Sequence, residues 1–137
     1  MTNNESETVG APNFDVPDYL SYSEDHAWVD SSVDPVVVGI TAYAADELGD
    51  LVFVDLPKVG TRVEAGDEIA ELESAKAVEP LISPVSGVVA YTNNDVAQDP
   101  SVINSDPYGE GWILKVTPDD DEPELLDAEE YVKVTKQ

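Results

Sequence analysis

Cysteine is absent from this 137-residue chain. That excludes disulfides, protein-borne thiol chemistry and cysteine-ligated metal sites. Histidine occurs once, at His26. A lone histidine without cysteine or a second histidine makes no metal centre, and a structural or exposed role is expected for it. Basic residues are also scarce: six Lys plus Arg stand against 30 Asp plus Glu, for a formal net charge of -24. None of the six precedes Lys58. Phosphate contacts need Lys and Arg, so nucleic-acid binding is excluded as a function class. Attachment to an anionic membrane surface is disfavoured for the same reason. No apolar run has the length of a membrane-spanning helix. The first 18 residues hold neither a basic residue nor an apolar segment, so no secretory signal or Arg-rich transit peptide is visible. A cytoplasmic protein is expected.

What is present is apolar content of 42%, enough for a folded core despite the charge. Residues 1–18 are polar and acidic and are expected as a disordered leader. Residues 19–137 are expected to form one domain. The run Asp25-His26-Ala27-Trp28-Val29 is short, aromatic and apolar, with Trp28 expected in the core, and residues 31–35 carry turn chemistry. Val36 to Ile40 is β-branched and reads as a buried strand. Thr41 can cap a helix from Ala42 to Leu48, which Gly49 stops. Leu51 to Leu56 is the next strand, ended by Pro57. Asp99-Pro100-Ser101 opens a short helix, and Trp112 to Val116 is a strand with a core Trp112. The acidic run from Asp119 with Pro123 is expected to open a C-terminal helix through Tyr131, with Leu125, Ala128 and Val132 on one face. These elements add up to a small, mainly β sandwich with helices at its ends.

The centre of the chain carries the chemistry. Asp67 to Leu72 and the run after Val78 are two short extended stretches, which form a hairpin by default. The turn between them lacks Asn-Gly or Gly-Gly, so a type I turn is expected, with Lys76 at the tip. Ser74 has no base beside it and is no nucleophile candidate. A lysine presented this way can be recognised and acylated by an enzyme, although an ordinary solvated lysine is the commoner case. Gly60 before it and Gly87 after it give the hairpin a frame. Segments opening at these glycines echo each other, Gly60 to Ala70 with Gly87 to Ala97, and suggest two β-units related by a pseudo-two-fold.

Lys76 between two flanking glycines resembles the lipoyl-lysine hairpin of lipoyl carrier domains. The biotin version normally has Met on both sides of the lysine, whereas Ala75 and Ala77 flank it here. The resemblance extends from about Tyr19 to Val132 to the glycine cleavage system H protein family. It is carried by His26-Ala27-Trp28-Val29, Val38-Gly39-Ile40-Thr41, Leu48 to Pro57, Glu73-Ser74-Ala75-Lys76-Ala77, Ser83-Pro84-Val85-Ser86-Gly87 and Asn104 to Trp112.

The resemblance implies a lipoyl-domain-like barrel-sandwich hybrid and a carrier that is not itself a catalyst. Lipoate is implied as an amide on Lys76. Glu73, three before Lys76, is expected to serve recognition by the lipoate-attaching enzyme, with a solvated strand residue as the alternative, and a cleft for the arm is implied around Asp25, Ile40, Leu48 and Glu79. The implied partners are glycine decarboxylase, a pyridoxal-phosphate enzyme, then aminomethyltransferase and dihydrolipoyl dehydrogenase; a monomer is expected. The family commonly has Glu before the Trp and an Asp shortly after the Lys-Ala pair. This chain has Ala27, and Val78-Glu79-Pro80, at those places. Asp25 and Glu79 are therefore the candidate acidic partners for the cargo amine. Three rival readings are a lipoyl relay protein, a lipoyl domain of a 2-oxo acid dehydrogenase complex and an unmodified structural paralogue.

The charge makes its own prediction. At multimolar salt the Debye length falls to roughly 3 Å or less, and repulsion among like charges is largely screened. A chain suited to a halophilic cytoplasm should unfold several degrees higher in molar KCl than in dilute buffer. A midpoint that is highest at low salt would sink that reading.

Overall fold

The computed structural model describes residues 16–119 and 125–135. Nine strands and four short helices are formed there: β1 (Ser21–Tyr22), β2 (Ala27–Asp30), β3 (Val36–Ile40), α1 (Ala42–Leu48), β4 (Leu51–Asp55), β5 (Arg62–Val63), β6 (Glu68–Ser74), β7 (Val78–Ile82), β8 (Gly87–Thr92), α2 (Asn94–Gln98), α3 (Ser101–Ser105), β9 (Leu114–Pro118) and α4 (Ala128–Thr135). The strands make a six-stranded sheet in the order β1-β2-β3-β9-β8-β5 and a three-stranded sheet in the order β4-β6-β7. All neighbouring strands run antiparallel. The architecture is the mainly β, lipoyl-domain-like barrel-sandwich expected, with short helices and a C-terminal helix.

The inner faces of the two sheets enclose the main core. Alternation sets it: Val36, Val38 and Ile40 of β3 are buried, as are Val54 of β4 and Leu72 of β6. A second cluster lies under α4 and holds Val16, Leu20, Tyr22, Trp28, Tyr131 and Val132. Val16 is therefore packed, while residues 1–15 lie outside the described residues. Trp28 is buried and its indole N–H donates to the Pro107 carbonyl at 2.9 Å. Trp112 is only half-buried, with the Lys115 ammonium 4.9 Å from its ring centre. It stands before β9, which begins at Leu114 rather than at Trp112.

Helix α1 matches expectation at both ends. The Thr41 Oγ accepts the Ala44 N–H at 3.1 Å, and Gly49, at φ 81°, closes the last turn through its N–H to Ala45 O. Asn104 of α3 then ties this corner together, accepting the Leu51 N–H at 2.9 Å and donating to Gly49 O at 2.9 Å.

The C-terminal helix begins later than expected. Leu125 precedes it, and Leu126 bridges in extended form to Tyr22 of β1. The acidic run at residues 120–124 lies outside the described residues. What starts the helix at Ala128 is a reciprocal cap: Asp127 Oδ1 accepts the Glu130 N–H at 2.8 Å, and Glu130 Oε1 accepts the Asp127 N–H at 3.0 Å.

The internal echo holds for its first half only. Arg62 and Val63 of one copy pair with Val88 and Gly87 of the other. Beyond that, Ile69-Ala70 lies in strand β6 whereas Val96-Ala97 lies in helix α2. Asn93 is the reason. Its buried side chain accepts the Asp95 N–H and donates to the carbonyls of Glu110 and Trp112, so it caps a helix instead of continuing a turn.

Gly60 and Gly87 do their work in the six-stranded sheet rather than beside Lys76. Gly60 adopts φ 95° with open space around it, and its N–H donates to Val89 O at 2.8 Å. At Gly87 a Cβ would stand 2.1 Å from the Thr117 carbonyl oxygen of β9. Gly60→Ala should therefore cost about 1–2 kcal/mol, from backbone strain alone. Gly87→Ala should cost about 3 kcal/mol or more, because backbone must move to admit the methyl group. Urea unfolding midpoints of the two variants should rank in that order.

Candidate functional site: a lysine hairpin beside a cleft

Strands β6 and β7 form the expected hairpin, and Ala75-Lys76-Ala77 is its loop. A serine side chain closes it. The Ser74 Oγ accepts the N–H groups of Lys76, at 3.2 Å, and Ala77, at 3.1 Å. The Ser74 N–H donates to Ala77 O at 2.8 Å. Ser74 is itself buried, so the loop is anchored from beneath. Lys76 is exposed, and its side chain lies back over Gly49 at the end of α1. A Cβ built on Gly49 would sit 3.4 Å from the Lys76 Cε.

Beside the hairpin lies a cleft of about 280 Å³, at the lower end of the roughly 300–1,000 Å³ usual for small-molecule sites. The four residues expected for an arm cleft all line it: Asp25, Ile40, Leu48 and Glu79. Ile40 and Leu48 are buried and make apolar wall, while Asp25 and Glu79 are exposed carboxylates at its edge. Glu79 faces Leu72 across the hairpin, on the inner side of the sheet. Ala27, where the family's Glu stands, is fully buried opposite Ile40 and supplies no acidic group. Glu73 points the other way. It is exposed between Phe53 and Val78 on the outer face of the three-stranded sheet.

Sequence reading missed several members of the cleft, among them Tyr43 and Glu47 of α1. The signal was present in part, since Tyr43 and Glu47, like Ala44 and Leu48, are four apart and share a helix face. Nothing local says that this face turns toward the hairpin. The cleft therefore has three carboxylates around it, Asp25, Glu47 and Glu79. Among the described residues no set of three or more His, Asp and Glu side chains is placed to hold a metal ion.

His26 also lines the cleft and is more than a surface residue. Its backbone has φ 72°, an uncommon conformation for a residue with a Cβ. Its Nδ1 lies 2.8 Å from the Tyr131 hydroxyl, which lies 2.8 Å from Thr41 Oγ1. The Thr41 oxygen also caps α1. One polar chain thus links the cleft wall, α4 and the helix that carries Glu47. Burial lowers the His26 pKa, opposed by the neighbouring carboxylates Asp25 and Glu47. Burial raises the Tyr131 pKa well above the usual phenol range.

An exposed lysine on a serine-tied hairpin tip, with a cleft alongside, is the geometry of a lipoyl-type carrier domain. A family model described as glycine cleavage H-protein matches residues 20–137. The glycine cleavage system H protein of Bifidobacterium longum is 73% identical over 124 residues, 90% of each chain. The probable glycine cleavage system H protein of Natronomonas pharaonis is 50% identical over 87% of this chain and 95% of its own. A crystal structure of a glycine cleavage system H protein from Mycobacterium marinum superposes with a TM-score of 0.83 at 44% identity, covering 89% of this chain and 100% of that one. The chain belongs to the glycine cleavage H-protein family, the non-catalytic lipoyl carriers of the glycine cleavage system. No helix among the described residues is long and apolar enough to cross a membrane.

The position of His26 has a pH signature. Its folded pKa lies below the ordinary value of 6.5, so the unfolded chain takes up a proton that the folded chain refuses. Stability should fall as pH drops from about 6.5 toward the depressed folded value, and be free of this loss above that window. NMR titration of the single imidazole should give a midpoint under the ordinary histidine value. His26→Gln should remove that component of the stability–pH curve.

Proposed function

We propose that the protein carries lipoate as an amide on Lys76. It takes the aminomethyl group of glycine from glycine decarboxylase to aminomethyltransferase, and then offers the dihydrolipoyl arm to dihydrolipoyl dehydrogenase. One observation carries this reading: the Ser74-locked loop holds Lys76 at the edge of the cleft whose wall includes Ile40 and Leu48. Lipoate, when attached, supplies the disulfide–dithiol pair that takes up and releases the one-carbon unit.

Everything else falls to the chain itself. The tip presents the Lys76 Nζ on a rigid base, so each docked partner meets the arm at high effective concentration. The apolar wall takes up the arm and excludes water from it. Asp25, Glu47 and Glu79 offer acceptors to an amine at the cleft edge, where a charge-assisted hydrogen bond is stronger than a neutral one. Glu73, on the outer face, meets the lipoate-attaching enzyme. The protein acts in the cytoplasm as a monomer.

Intact-mass measurement on protein from its own cells should show one lipoyl group, located by peptide sequencing at Lys76 and lost in Lys76→Arg. The lipoylated protein should support glycine–bicarbonate exchange by glycine decarboxylase, and Lys76→Arg should not. Glu79→Gln together with Glu47→Gln should shorten the lifetime of the aminomethyl-loaded form, with unfolding unchanged. A modified protein that is inert with glycine decarboxylase would support a lipoyl relay role instead.

A further inference from the structure

The three-stranded sheet has two faces of opposite character. On the inner face Leu51 stands opposite Ser74 and Val54 opposite Leu72, and all four are buried. The outer face presents Phe53, Glu73 and Val78 as one row across all three strands. Phe53 is 51% exposed and Val78 54%. The register break between Leu51 and Phe53 leaves Val52 exposed as well. Asp55 and Glu71 form the next pair on this outer face. Phe53 and Val78 are thus left half in water on either side of the Glu73 carboxylate, a mixed apolar and acidic surface open to a partner.

We propose that this outer face is the grip for the enzyme that acylates Lys76. That enzyme would present an apolar contact to Phe53 and Val78, rimmed by Lys or Arg that pair with Glu73, Glu71 and Asp55. The proposal rests on the reading of Lys76 as the lipoylated residue.

Three features support this occupant. The first is continuity, since Val78 and Glu73 flank the Ser74-locked loop. A contact on them fixes the pose of Lys76, while the cleft lies on the inner side with Leu72 and Glu79. A partner on the outer face therefore holds the hairpin beside Lys76 without covering Leu72 and Glu79 of the cleft. The second is charge. The rows on this face carry carboxylates and no cation, and Arg62 and Lys115 belong to strands of the other sheet. The third is self-repulsion. In a two-fold pairing of copies through this face, Glu73, Glu71 and Asp55 would meet carboxylates of the same set, which is unfavourable.

The acylation itself needs no residue of this face. The neutral Lys76 Nζ attacks the carbonyl carbon of an activated lipoyl donor of the acyl-phosphate-anhydride class. A C–N bond forms, and the bond from the acyl carbon to the bridging oxygen breaks with its electron pair going to the phosphate leaving group. The amine proton passes to a base of the enzyme or to water. The outer face contributes binding alone, so its loss should appear in KM.

The test uses the full-length unmodified chain with a lipoate–protein ligase, lipoate and ATP, and follows attachment by intact mass. Phe53→Ala with Val78→Thr should raise the KM for the carrier about tenfold, about 1.4 kcal/mol of docking, with kcat nearly unchanged. Glu73→Gln should raise KM less and flatten its dependence on salt. Val88→Thr, an exposed valine of β8, serves as control and should change neither. Circular dichroism and unfolding midpoints verify that the variants fold. An unchanged KM in the double variant, with Lys76→Arg still unmodifiable, overturns the grip and leaves Lys76 as the acceptor. Failure of the folded wild-type chain to be acylated overturns the reading of Lys76 and the grip with it. A concentration-dependent dimer in sedimentation, abolished by the double variant, would assign the face to a second copy instead.

Discussion

The Ser74 hydroxyl is the interaction on which the presentation of Lys76 depends. It accepts two loop N–H groups from a buried position, so the three-residue tip is tied to the end of β6. Such a bond contributes only about 1 kcal/mol to stability. Its weight lies in geometry. An arm attached to a loose loop would sample many directions, whereas one attached to a fixed tip starts from a single point beside the cleft. The strands of the hairpin give Ser74 its own fixed place, through Leu51 on one side and the pairing of Glu73 with Val78 on the other.

A second constraint binds the cleft to the C-terminal helix. The contacts from His26 to Tyr131 to Thr41 join β2, α4 and the cap of α1. Tyr131 also stacks on Tyr22 of β1, with ring centres 4.8 Å apart. These are buried or half-buried polar groups, and each finds a partner, as groups withdrawn from water must. The helix that supplies Tyr43 and Glu47 to the cleft is therefore positioned from outside the cleft. The small second core under α4 becomes part of the site's architecture.

The acidic composition acts differently at different places. On most of the surface it is solvated charge. At the cleft Asp25, Glu47 and Glu79 stand beside the apolar wall of Ile40 and Leu48. On the outer face of the three-stranded sheet, Glu73 lies between Phe53 and Val78, with Asp55 and Glu71 in the next row. The same residue type thus stands in three different settings, according to what packs beside it.

Much of this was legible in the residues themselves. Thr41 and Gly49 bracket α1, β-branched runs mark β3 and β4, and the hairpin with Lys76 at its tip follows from two short extended runs around a turn. Those features depend on neighbours in the chain, so local chemistry suffices. The resemblance carried the rest of the site, and its four cleft residues do come together. Where local reading failed, distant partners had decided. Asn93 makes a helix because Glu110 and Trp112 offer it carbonyls, and α4 starts at Ala128, behind the Asp127 cap, because Leu126 is held in a bridge to Tyr22. Gly87 is required by the closeness of Thr117. The chain by itself determined the elements, the charge and the lysine. Only the tertiary structure decided which face of α1 lines the cleft, which way Glu73 and Glu79 point and what holds His26, because those depend on contacts between residues far apart in sequence.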